Sequence, residues 1–137
     1  MAERAIFSLT GYFFDEVNLN LHNIKPNSEI DMSFSPSGIF HSKKNVFSLQ
    51  FSFDALSEGV KLVHVNCVAS FEFKKPVSFD DIPDFFFGNC IAILFPYIRS
   101  MVSTLTLQAN INPMILPTMN LISLKDALKA NSQVKND

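Results

Sequence analysis

The sequence predicts one α+β domain: a four-stranded antiparallel sheet, then a long helix, an apolar loop and a short C-terminal helix. Over about residues 5–74, apolar and polar side chains alternate at every second position, which is the spacing of strands. After Lys74-Lys75-Pro76 this alternation stops, and an apolar run from Phe85 to Leu107 follows with helical spacing. The chain has 137 residues, a length typical of a single domain spanning residues 1–137.

The first two predicted strands show the alternation clearly. Ile30, Met32 and Phe34 alternate with polar residues in the second strand, and Pro36-Ser37-Gly38 after them indicates a turn or a bulge. In the first strand the apolar and small residues fall at odd positions: Phe7, Leu9, Gly11, Phe13, Val17, Leu19 and Leu21.

Two further strands complete the predicted sheet. Phe47 to Phe53 alternates phenylalanine and leucine with serine and glutamine, and Ser57-Glu58-Gly59 predicts a turn. Val60 to Phe73 predicts a fourth strand that is apolar on both faces around Val63 to Val68, as in a central strand or a subunit contact. The short connections favour an antiparallel meander.

The long helix is predicted over about residues 84–109. Arg99 is the only charge between Phe85 and Leu107, and Pro96 removes one backbone hydrogen bond and predicts a kink. A helical wheel separates one narrow, mostly polar stripe from an apolar remainder. The stripe contains Asn89, Ala92, Pro96, Arg99, Ser100 and Ser103; the remainder contains Phe87, Ile91, Leu94, Phe95, Ile98, Met101, Val102 and Leu105.

A membrane span is the alternative interpretation of this helix, because the run is long enough to cross a bilayer. Against it, a central arginine such as Arg99 costs about 2.5–3.5 kcal/mol on insertion scales. Pro96, Asn89 and several hydroxyl side chains interrupt the same run, and the strands before it have the pattern of a soluble sheet. We therefore expect a buried helix and no membrane span.

The segment after the helix, residues 110–122, is an apolar loop without helical or strand spacing. Surface loops are usually polar, so this loop must pack on its own protein or on a partner. Ser123 can cap a short helix over about residues 123–131, and residues 132–137 are predicted to be a polar tail.

Composition predicts a protein that associates with apolar partners. Hydrophobic residues make up 47% of the chain and charged residues 18%, against roughly 25% charged in typical domains. A monomer of this composition exposes apolar patches, which usually serve as interfaces or binding grooves. The net charge of −2 provides no basic surface for nucleic acid. We expect a homo-oligomer, a binder of hydrophobic clients, or both.

The sequence also predicts a cytoplasmic location. The first ten residues lack the apolar core and cleavage site of a signal peptide. Cys67 and Cys90 both lie in apolar surroundings, which favours two buried, reduced thiols.

Catalytic and metal-binding patterns are missing from the sequence. His22, His41 and His64 lie in separate regions without metal-ligand spacing, and neither cysteine belongs to a CxxC pair. No GxSxG-type elbow is present. The acidic cluster before the helix is interpreted as charge that complements the helix dipole rather than as a carboxylate site. We expect no catalytic residue, no metal and no cofactor. The cluster is Asp80, Asp81 and Asp84.

Several segments resemble the SecB protein-export chaperones. Residues 94–99, Leu-Phe-Pro-Tyr-Ile-Arg, are similar to a helix motif of that family, and residues 113–120, Pro-Met-Ile-Leu-Pro-Thr-Met-Asn, are similar to its crossing loop. Residues 29–34 resemble its second strand, and residues 7–21 fit its first strand more weakly.

The resemblance implies a holdase that performs no covalent chemistry and holds unfolded polypeptides in hydrophobic grooves, for export. It also implies a homotetramer, a dimer of dimers with helices packed between two eight-stranded sheets. Methionines suit such a surface because they are flexible and polarizable. The client-binding residues carried onto this sequence are Ile30, Met32, Phe34, Met114, Ile115, Leu116, Met119 and Leu121.

Departures from the family's pattern concern the patch that binds the SecA motor. Glu16 and Leu62 match this patch, but Asn20 and His64 stand where acidic residues are expected, so we expect weak SecA binding. Gln-Ala-Asn at 108–110 stands where the family usually has a glycine pair.

A dedicated SecB-like chaperone of a toxin–antitoxin system therefore stays open as an alternative function, with an antitoxin as partner. Outside this class, the alternative is a small enzyme or hydrophobic-ligand-binding protein with the apolar loop as a lid.

Overall fold

The computed structural model describes residues 6–22, 24, 29–117, 121 and 123–137. In these residues four long strands come first, and two α-helices and a short strand follow. The predicted α+β order is therefore confirmed. The elements are β1 (Phe7–Leu19), β2 (Ile30–His41), β3 (Val46–Ser57), β4 (Val60–Phe73), a 3-10 turn (Phe79–Asp81), α1 (Asp84–Gln108), α2 (Ser123–Ala130) and β5 (Ser132–Lys135).

The sheet has the strand order β1-β4-β3-β2-β5, in which β5 runs parallel to β2 and the other pairs are antiparallel. The prediction of a polar tail over residues 132–137 is wrong, because residues 132–135 form β5. The Gly38 N–H donates to the Asn131 carbonyl oxygen at 3.2 Å, and the Ser42 N–H donates to the Lys135 carbonyl oxygen at 2.9 Å. Backbone pairing therefore fixes a segment whose side chains carry no strand pattern.

The alternation predicted for β1 is wrong in its middle. The register with β4 shifts after Leu9 and again after Phe14, so each shift moves the following residues to the other face. Tyr12 consequently lies on the same face as Phe7, whereas Phe13 points to the opposite face and is 60% exposed. The residues of β1 on the helix-facing side are thus separated by two, three, two, three and two positions rather than by a constant two; they are Phe7, Leu9, Tyr12, Phe14, Val17 and Leu19.

The turn or bulge predicted at Pro36-Ser37-Gly38 is also wrong, because β2 is continuous and pairs with β3 without a register shift. Gly38 serves packing instead, since a Cβ added there would lie 2.2 Å from the Phe47 ring. The predicted turn between β3 and β4 is confirmed. Glu58 and Gly59 both have positive φ values, 50° and 80°, as a tight hairpin requires.

The core lies between α1 and one face of the sheet. Phe86 is its centre: its ring lies 4.8 Å from that of Phe7, 4.9 Å from that of Phe73 and 5.1 Å from that of Phe47. Such edge-to-face and tilted contacts stabilise aromatic pairs by about 0.5–1.5 kcal/mol beyond burial alone. The high phenylalanine content is therefore used mainly to fill the space between helix and sheet.

The helical wheel prediction for α1 is confirmed for the residues it assigned, but the expectation of a mostly buried helix is wrong, because Phe85, Ile93, Tyr97 and Leu107 are exposed. Every predicted apolar residue is buried or packs against the core, and Asn89, Pro96 and Arg99 lie on the exposed side. α1 is long and apolar enough to cross a membrane by composition, a test that core helices also pass. Here its buried side packs on the sheet of its own chain.

The start of α1 is tied to α2 by an ion pair. Asp84 is the first residue of α1, and the Lys125 ammonium lies 2.6 Å from its carboxylate. The hydrogen bond from Lys125 lowers the pKa of Asp84 below its usual value. Asp80 and Asp81 belong to the 3-10 turn that precedes α1, so the interpretation of these three residues as helix-start charges agrees with the structure.

Candidate functional site

The first part of the candidate site is a strip on the helix-facing side of β2. Ile30 is 41% exposed, and Met32 and Phe34 are half-buried beside the core. The Phe34 ring lies 5.4 Å from that of Phe51 and 5.8 Å from that of Phe95. The strip is therefore exposed to solvent at Ile30, and at Phe34 it contacts an aromatic side chain of α1.

The second part is the loop after α1, in which three consecutive apolar residues have different surroundings. Ile115 is 64% exposed, Met114 is half-buried, and Leu116 is fully buried. Leu116 is thus buried in the core and holds the loop in place. The prediction that Leu116 contacts clients is therefore corrected. Leu121 packs against the core while partly exposed, and the expected client residue Met119 lies outside the described residues.

Thr106 fixes this loop to the helix. Its hydroxyl donates to the Val102 carbonyl oxygen at 2.9 Å and accepts from the Met114 N–H at 2.8 Å. The Ser103 hydroxyl donates to the Met114 carbonyl oxygen at 3.2 Å. Both backbone groups of Met114 are therefore bonded to the last turns of α1. Sequence analysis missed Thr106; its signal was a hydroxyl residue on the apolar side of the helix.

The strip and the loop lie along the same side of α1. Phe95, which contacts the strip, and Thr106, which holds the loop, are 106 − 95 = 11 residues apart, or about three helical turns. Residues at this spacing project in nearly the same direction, about 16 Å apart along the axis. The geometry thus places two partly exposed apolar regions on one flank of the helix.

The two residues of the expected SecA patch, Glu16 and Leu62, differ in their exposure to solvent. Glu16 is exposed, but Leu62 is only 2% exposed and packs in the core. The prediction that Leu62 forms part of a surface patch is therefore corrected. The patch borders a depression of about 490 Å³ lined by Glu16, Val17, Asn18, Asn20, Lys61, Leu62, Val63 and His64.

His64 connects three strands across this patch. Its Nε2 lies 3.0 Å from a Glu16 carboxylate oxygen on β1, and its Nδ1 lies 2.7 Å from a carboxylate oxygen of Asp54 on β3. The Lys61 ammonium lies 3.3 Å from the same Asp54 oxygen. His64 and Lys61 thus both lie against the carboxylates of this surface, so Glu16 and Asp54 are not free to face a basic partner.

The two cysteines are free and buried, as predicted. Burial, with a smaller contribution from Asp15, raises the pKa of Cys67 to about 11, and burial raises that of Cys90 to about 12. Both thiols are therefore protonated and unreactive near neutral pH. Among the described residues, no three histidine, cysteine, aspartate or glutamate side chains are placed to hold a metal ion.

Comparison with known proteins extends this description. No family model matches the sequence. An uncharacterized protein of Methanocaldococcus jannaschii is 47% identical over 45 residues, which are 33% of this chain and 29% of that protein. The match thus spans less than a third of the length of that relative.

Two solved structures are similar in shape. The SecB-like chaperone Rv1957 of Mycobacterium tuberculosis, in complex with a ChAD peptide from the HigA1 antitoxin, matches with a TM-score of 0.68 and 17% identity, over 83% of this chain and 88% of that chain. A Streptococcus agalactiae protein of unknown function has a TM-score of 0.44 and 10% identity, over 82% of this chain and 97% of that chain.

The long helix packed on one face of a mostly antiparallel sheet, followed by a loop and a short helix, defines an α+β protein of SecB-like architecture. The chain has the fold of the M. tuberculosis SecB-like chaperone. The resemblance seen in the sequence is therefore confirmed at the level of the fold.

Proposed function

We propose that this protein is a holdase chaperone that binds unfolded polypeptides without covalent chemistry. The observation that carries the proposal is the pair of partly exposed apolar regions on one flank of α1, at Ile30 to Phe34 and at Met114 and Ile115. The core beneath them is already closed by Leu116 and the phenylalanines. These regions are thus free to bury the apolar side chains of another chain.

The client surface comprises Ile30, Met32, Phe34, Met114, Ile115 and Leu121, with Met119 retained from the sequence prediction. Burying one such side chain yields roughly 1.5–3 kcal/mol. Ordering a flexible client offsets part of this gain, so each position contributes about 1–2 kcal/mol. Weak, additive contacts of this kind suit a chaperone that must accept many sequences and release them.

Assembly into a dimer or a homotetramer is part of the proposal. β1 is an edge strand in the described sheet, and its long outer edge is open to a second copy. Tyr12 and Tyr97 are both exposed and their rings lie 4.2 Å apart, which adds an apolar aromatic surface between this edge and α1. Light scattering should show a stable oligomer at micromolar concentration; a monomer would contradict this part.

Partners of two kinds fit the proposed chaperone. Export through SecA requires an acidic patch, and here Glu16 is paired with His64 while Lys61 lies nearby. We therefore propose a cytoplasmic chaperone with weak SecA binding. A dedicated antitoxin client is supported by the M. tuberculosis protein of the same fold, which was solved with an antitoxin peptide.

The structure also changes how SecA binding should be tested. His64→Glu would place a third carboxylate between Glu16 and Asp54, and like charges at this distance destabilise the sheet. Asn20→Glu with His64→Gln is therefore the better variant. It should bind SecA more tightly than the natural chain, with an effect that weakens as salt rises. Tight SecA binding by the natural chain, unaffected by Glu16→Gln, would indicate another docking surface.

A ligand-binding protein with the loop as a lid is less well supported. Leu116 occupies the space beneath the loop, and Thr106 bonds the loop to α1. The larger depression, about 1040 Å³, lies elsewhere, where the start of β1 meets the segment after β4. Its lining residues are Ile6, Phe7, Ser8, Phe73, Lys74, Lys75, Pro76, Val77, Asp81 and Pro83.

The decisive experiment compares binding of a reduced, permanently unfolded model protein with binding of its native form. The natural chain should bind the unfolded form alone. The variant Ile30→Ser, Met32→Ser, Ile115→Ser should bind it more weakly and keep its assembly. Phe34 stays unchanged, because its aromatic contacts make Phe34→Ser destabilising.

Phe13→Ser provides the matched control, because Phe13 is 60% exposed on the opposite face of the same sheet. It should leave client binding unchanged. Equal affinity of the triple variant and the natural chain, in an intact assembly, would remove the support for this surface. Absence of binding by the natural chain would contradict the holdase function itself.

A further inference from the structure

Most lysines of the described chain lie at one end of the sheet. The turn between β2 and β3, the segment after β4 and the end of β5 meet there, because β5 runs parallel to β2 and the other strand pairs are antiparallel. Five of the eight lysines in the described residues lie in these segments, and all five are exposed. They are Lys43, Lys44, Lys74, Lys75 and Lys135, here called the lysine row.

The lysine row differs from the other three described lysines in its partners. The Lys61 ammonium lies 3.3 Å from a carboxylate oxygen of Asp54. The ammonium groups of Lys125 and Lys129 lie 2.6 Å and 3.7 Å from carboxylate oxygens of Asp84. Within the described residues, no member of the lysine row lies in such an ion pair. Its charges are therefore available to a partner.

Asn45 joins two of the segments that carry the lysine row. Its side-chain N–H groups donate to the carbonyl oxygens of Phe73 and Lys75 at 3.0 Å and 2.9 Å, and its side-chain oxygen accepts from the Val77 N–H at 3.2 Å. Asn45 has a positive φ of 58°, a conformation that asparagine adopts more readily than most residues. The turn between β2 and β3 is therefore bonded directly to the segment after β4.

The length of the lysine row follows from the strand order. In the order β4-β3-β2-β5, three strand spacings separate the segment after β4 from the end of β5. At roughly 4.8 Å per spacing, the row is about 15 Å long. An extended chain rises about 3.3 Å per residue, so the row matches about four or five residues of a bound segment.

An apolar depression lies directly beside the lysine row. It is the depression of about 1040 Å³ where the start of β1 meets the segment after β4. Lys74 and Lys75 line it together with the exposed side chain of Ile6 and the half-buried side chain of Val77. The Lys74 N–H donates to the Ile6 carbonyl oxygen at 2.9 Å, so the row begins at the rim of the depression. This end of the sheet thus combines a concave apolar surface with unpaired positive charge.

One carboxylate of the chain itself already lies at the lysine row. A carboxylate oxygen of Asp137 lies 2.7 Å from Nδ1 of His41, and the N–H groups of Lys43 and Lys44 donate to the backbone oxygen of Asp137 at 3.1 Å and 3.2 Å. The hydrogen bond with His41, together with the charges of His41, Lys44 and Lys135, lowers the pKa of Asp137 below its usual value. These surroundings therefore favour an ionised carboxylate.

We propose that the lysine row and the adjoining depression bind an acidic segment of a partner protein that carries one large apolar side chain. The apolar side chain enters the depression, and the carboxylates that follow it lie along the lysines. His41, beside the row, and Ile30 are 41 − 30 = 11 residues apart along β2, or about 36 Å. This binding site is thus separate from the client surface, and it goes beyond the proposed chaperone function without depending on it.

An acidic segment fits this end of the sheet better than an anionic membrane. Glu72, Asp80 and Asp81 are exposed at the same end, and Asp81 lines the depression. These carboxylates repel a uniformly anionic bilayer, whereas a bound segment can place its own carboxylates along the lysine row alone. The concave apolar surface also accepts a single projecting side chain more readily than a flat lipid surface.

The test measures binding of a synthetic peptide that has one phenylalanine followed by four glutamates. The variant Lys44→Gln, Lys75→Gln should bind it about 2- to 25-fold more weakly than the natural chain, since one exposed ion pair changes an equilibrium by about 1.4- to 5-fold. Binding by the natural chain should weaken as salt rises. The matched control is Lys61→Gln, Lys129→Gln, which removes the same charge away from the row and should leave the affinity unchanged.

A second set of measurements tests the depression. Ile6→Ser should weaken binding of the phenylalanine peptide about threefold or more. It should leave unchanged the weaker binding of a peptide with serine in place of phenylalanine, because two changes at one contact are not additive. The client variant Ile30→Ser, Met32→Ser, Ile115→Ser should bind the acidic peptide as the natural chain does, which separates this site from the client surface.

Several outcomes would overturn the proposal. Equal peptide affinity of the Lys44, Lys75 variant and its control, or no peptide binding by the natural chain, would mean that the lysine row is only a solvated face. Sedimentation of the natural chain with phosphatidylserine vesicles, without peptide binding, would assign this end to a membrane. A changed oligomeric state of the Lys44, Lys75 variant, without peptide binding, would assign it to a second copy. Binding of the unfolded model protein tests the chaperone function separately, so these outcomes leave that function intact.

Discussion

Replacing Thr106 with valine should loosen the loop after α1 without changing the shape of the core. Thr106 is fully buried, and valine has the same branching at Cβ and nearly the same size. The substitution removes the hydroxyl that accepts from the Met114 N–H at 2.8 Å. The Val102 carbonyl oxygen keeps its place in the helix, so the main loss falls on the loop.

The size of the effect follows from what the Met114 N–H loses. An unpaired buried donor costs about 1–3 kcal/mol, and because Met114 is half-buried, water can satisfy part of this loss. We therefore expect about 1–2 kcal/mol, which is roughly a 5- to 30-fold increase in the population of the detached loop. Leu116 remains buried and still contributes about 1.5–3 kcal/mol to holding the loop.

Hydrogen exchange at the Met114 amide and urea unfolding measure this effect. Exchange at Met114 should accelerate by the same factor, and client affinity should fall because Ile115 is no longer held in place. Thr104→Val is the matched control, since Thr104 is exposed on the same helix. If both valine variants behave alike in exchange and in unfolding, Thr106 does not anchor the loop and the reasoning is wrong.

Three further predictions concern the fold. Leu94→Asp should abolish folding of the isolated chain, seen as loss of the cooperative unfolding transition, because Leu94 is fully buried in its own subunit. Gly38→Ala should lower the free energy of unfolding by about 1–3 kcal/mol, since its Cβ would meet the Phe47 ring. Lys125→Met should return the lowered pKa of Asp84 toward its usual value in an NMR titration. Because that pKa is lowered in the folded state, the stabilisation by Asp84 is present above its unfolded pKa and lost as pH falls through the folded pKa.

The sequence predicted the elements well, because each had a long, regular pattern. The predicted fourth strand, Val60 to Phe73, coincides with β4, and α1 begins and ends within one residue of the predicted helix. Period-two and helical spacing are local properties, so the chain reveals them directly. The strongly apolar character of β4 was explained by its central place between β1 and β3.

The errors in the sheet arose where one strand depends on another. The two register shifts in β1 are needed to keep its apolar face aligned with β4, and a constant period of two cannot show them. β5 is a strand because β2 offers it unpaired backbone groups, and its own side chains give no such signal. Pro36 and Gly38 resembled a turn for local reasons, although the neighbouring edge and the Phe47 ring determine their roles.

The sequence predicted which residues belong to the candidate site better than it predicted what each residue does there. Alternation and loop composition correctly marked Ile30, Met32 and Ile115 as apolar residues that reach the surface. They could not show that Leu116 is turned inward, because that depends on Thr106, ten residues earlier in the chain, and on the space beneath the loop. Which side chain of a loop is buried depends on tertiary contacts, and a local sequence pattern does not show these.

The same reasoning explains why a chaperone surface can coexist with a stable fold. Most fully buried core residues belong to β3, β4 and α1, and Phe40, Leu116 and Leu128 are buried with them. The proposed client residues Ile30 and Ile115 are exposed and lie outside this core. Removing a client therefore uncovers no core residue, and Leu116 and Thr106 keep the loop in place in its absence. β5 pairs with β2 only from Gly38 onward, so client binding at Ile30 to Phe34 also leaves β5 paired. Phe34 contributes to both the core and the client surface, whereas Ile30 and Ile115 are exposed, so substitutions at these two positions should change client binding without changing stability.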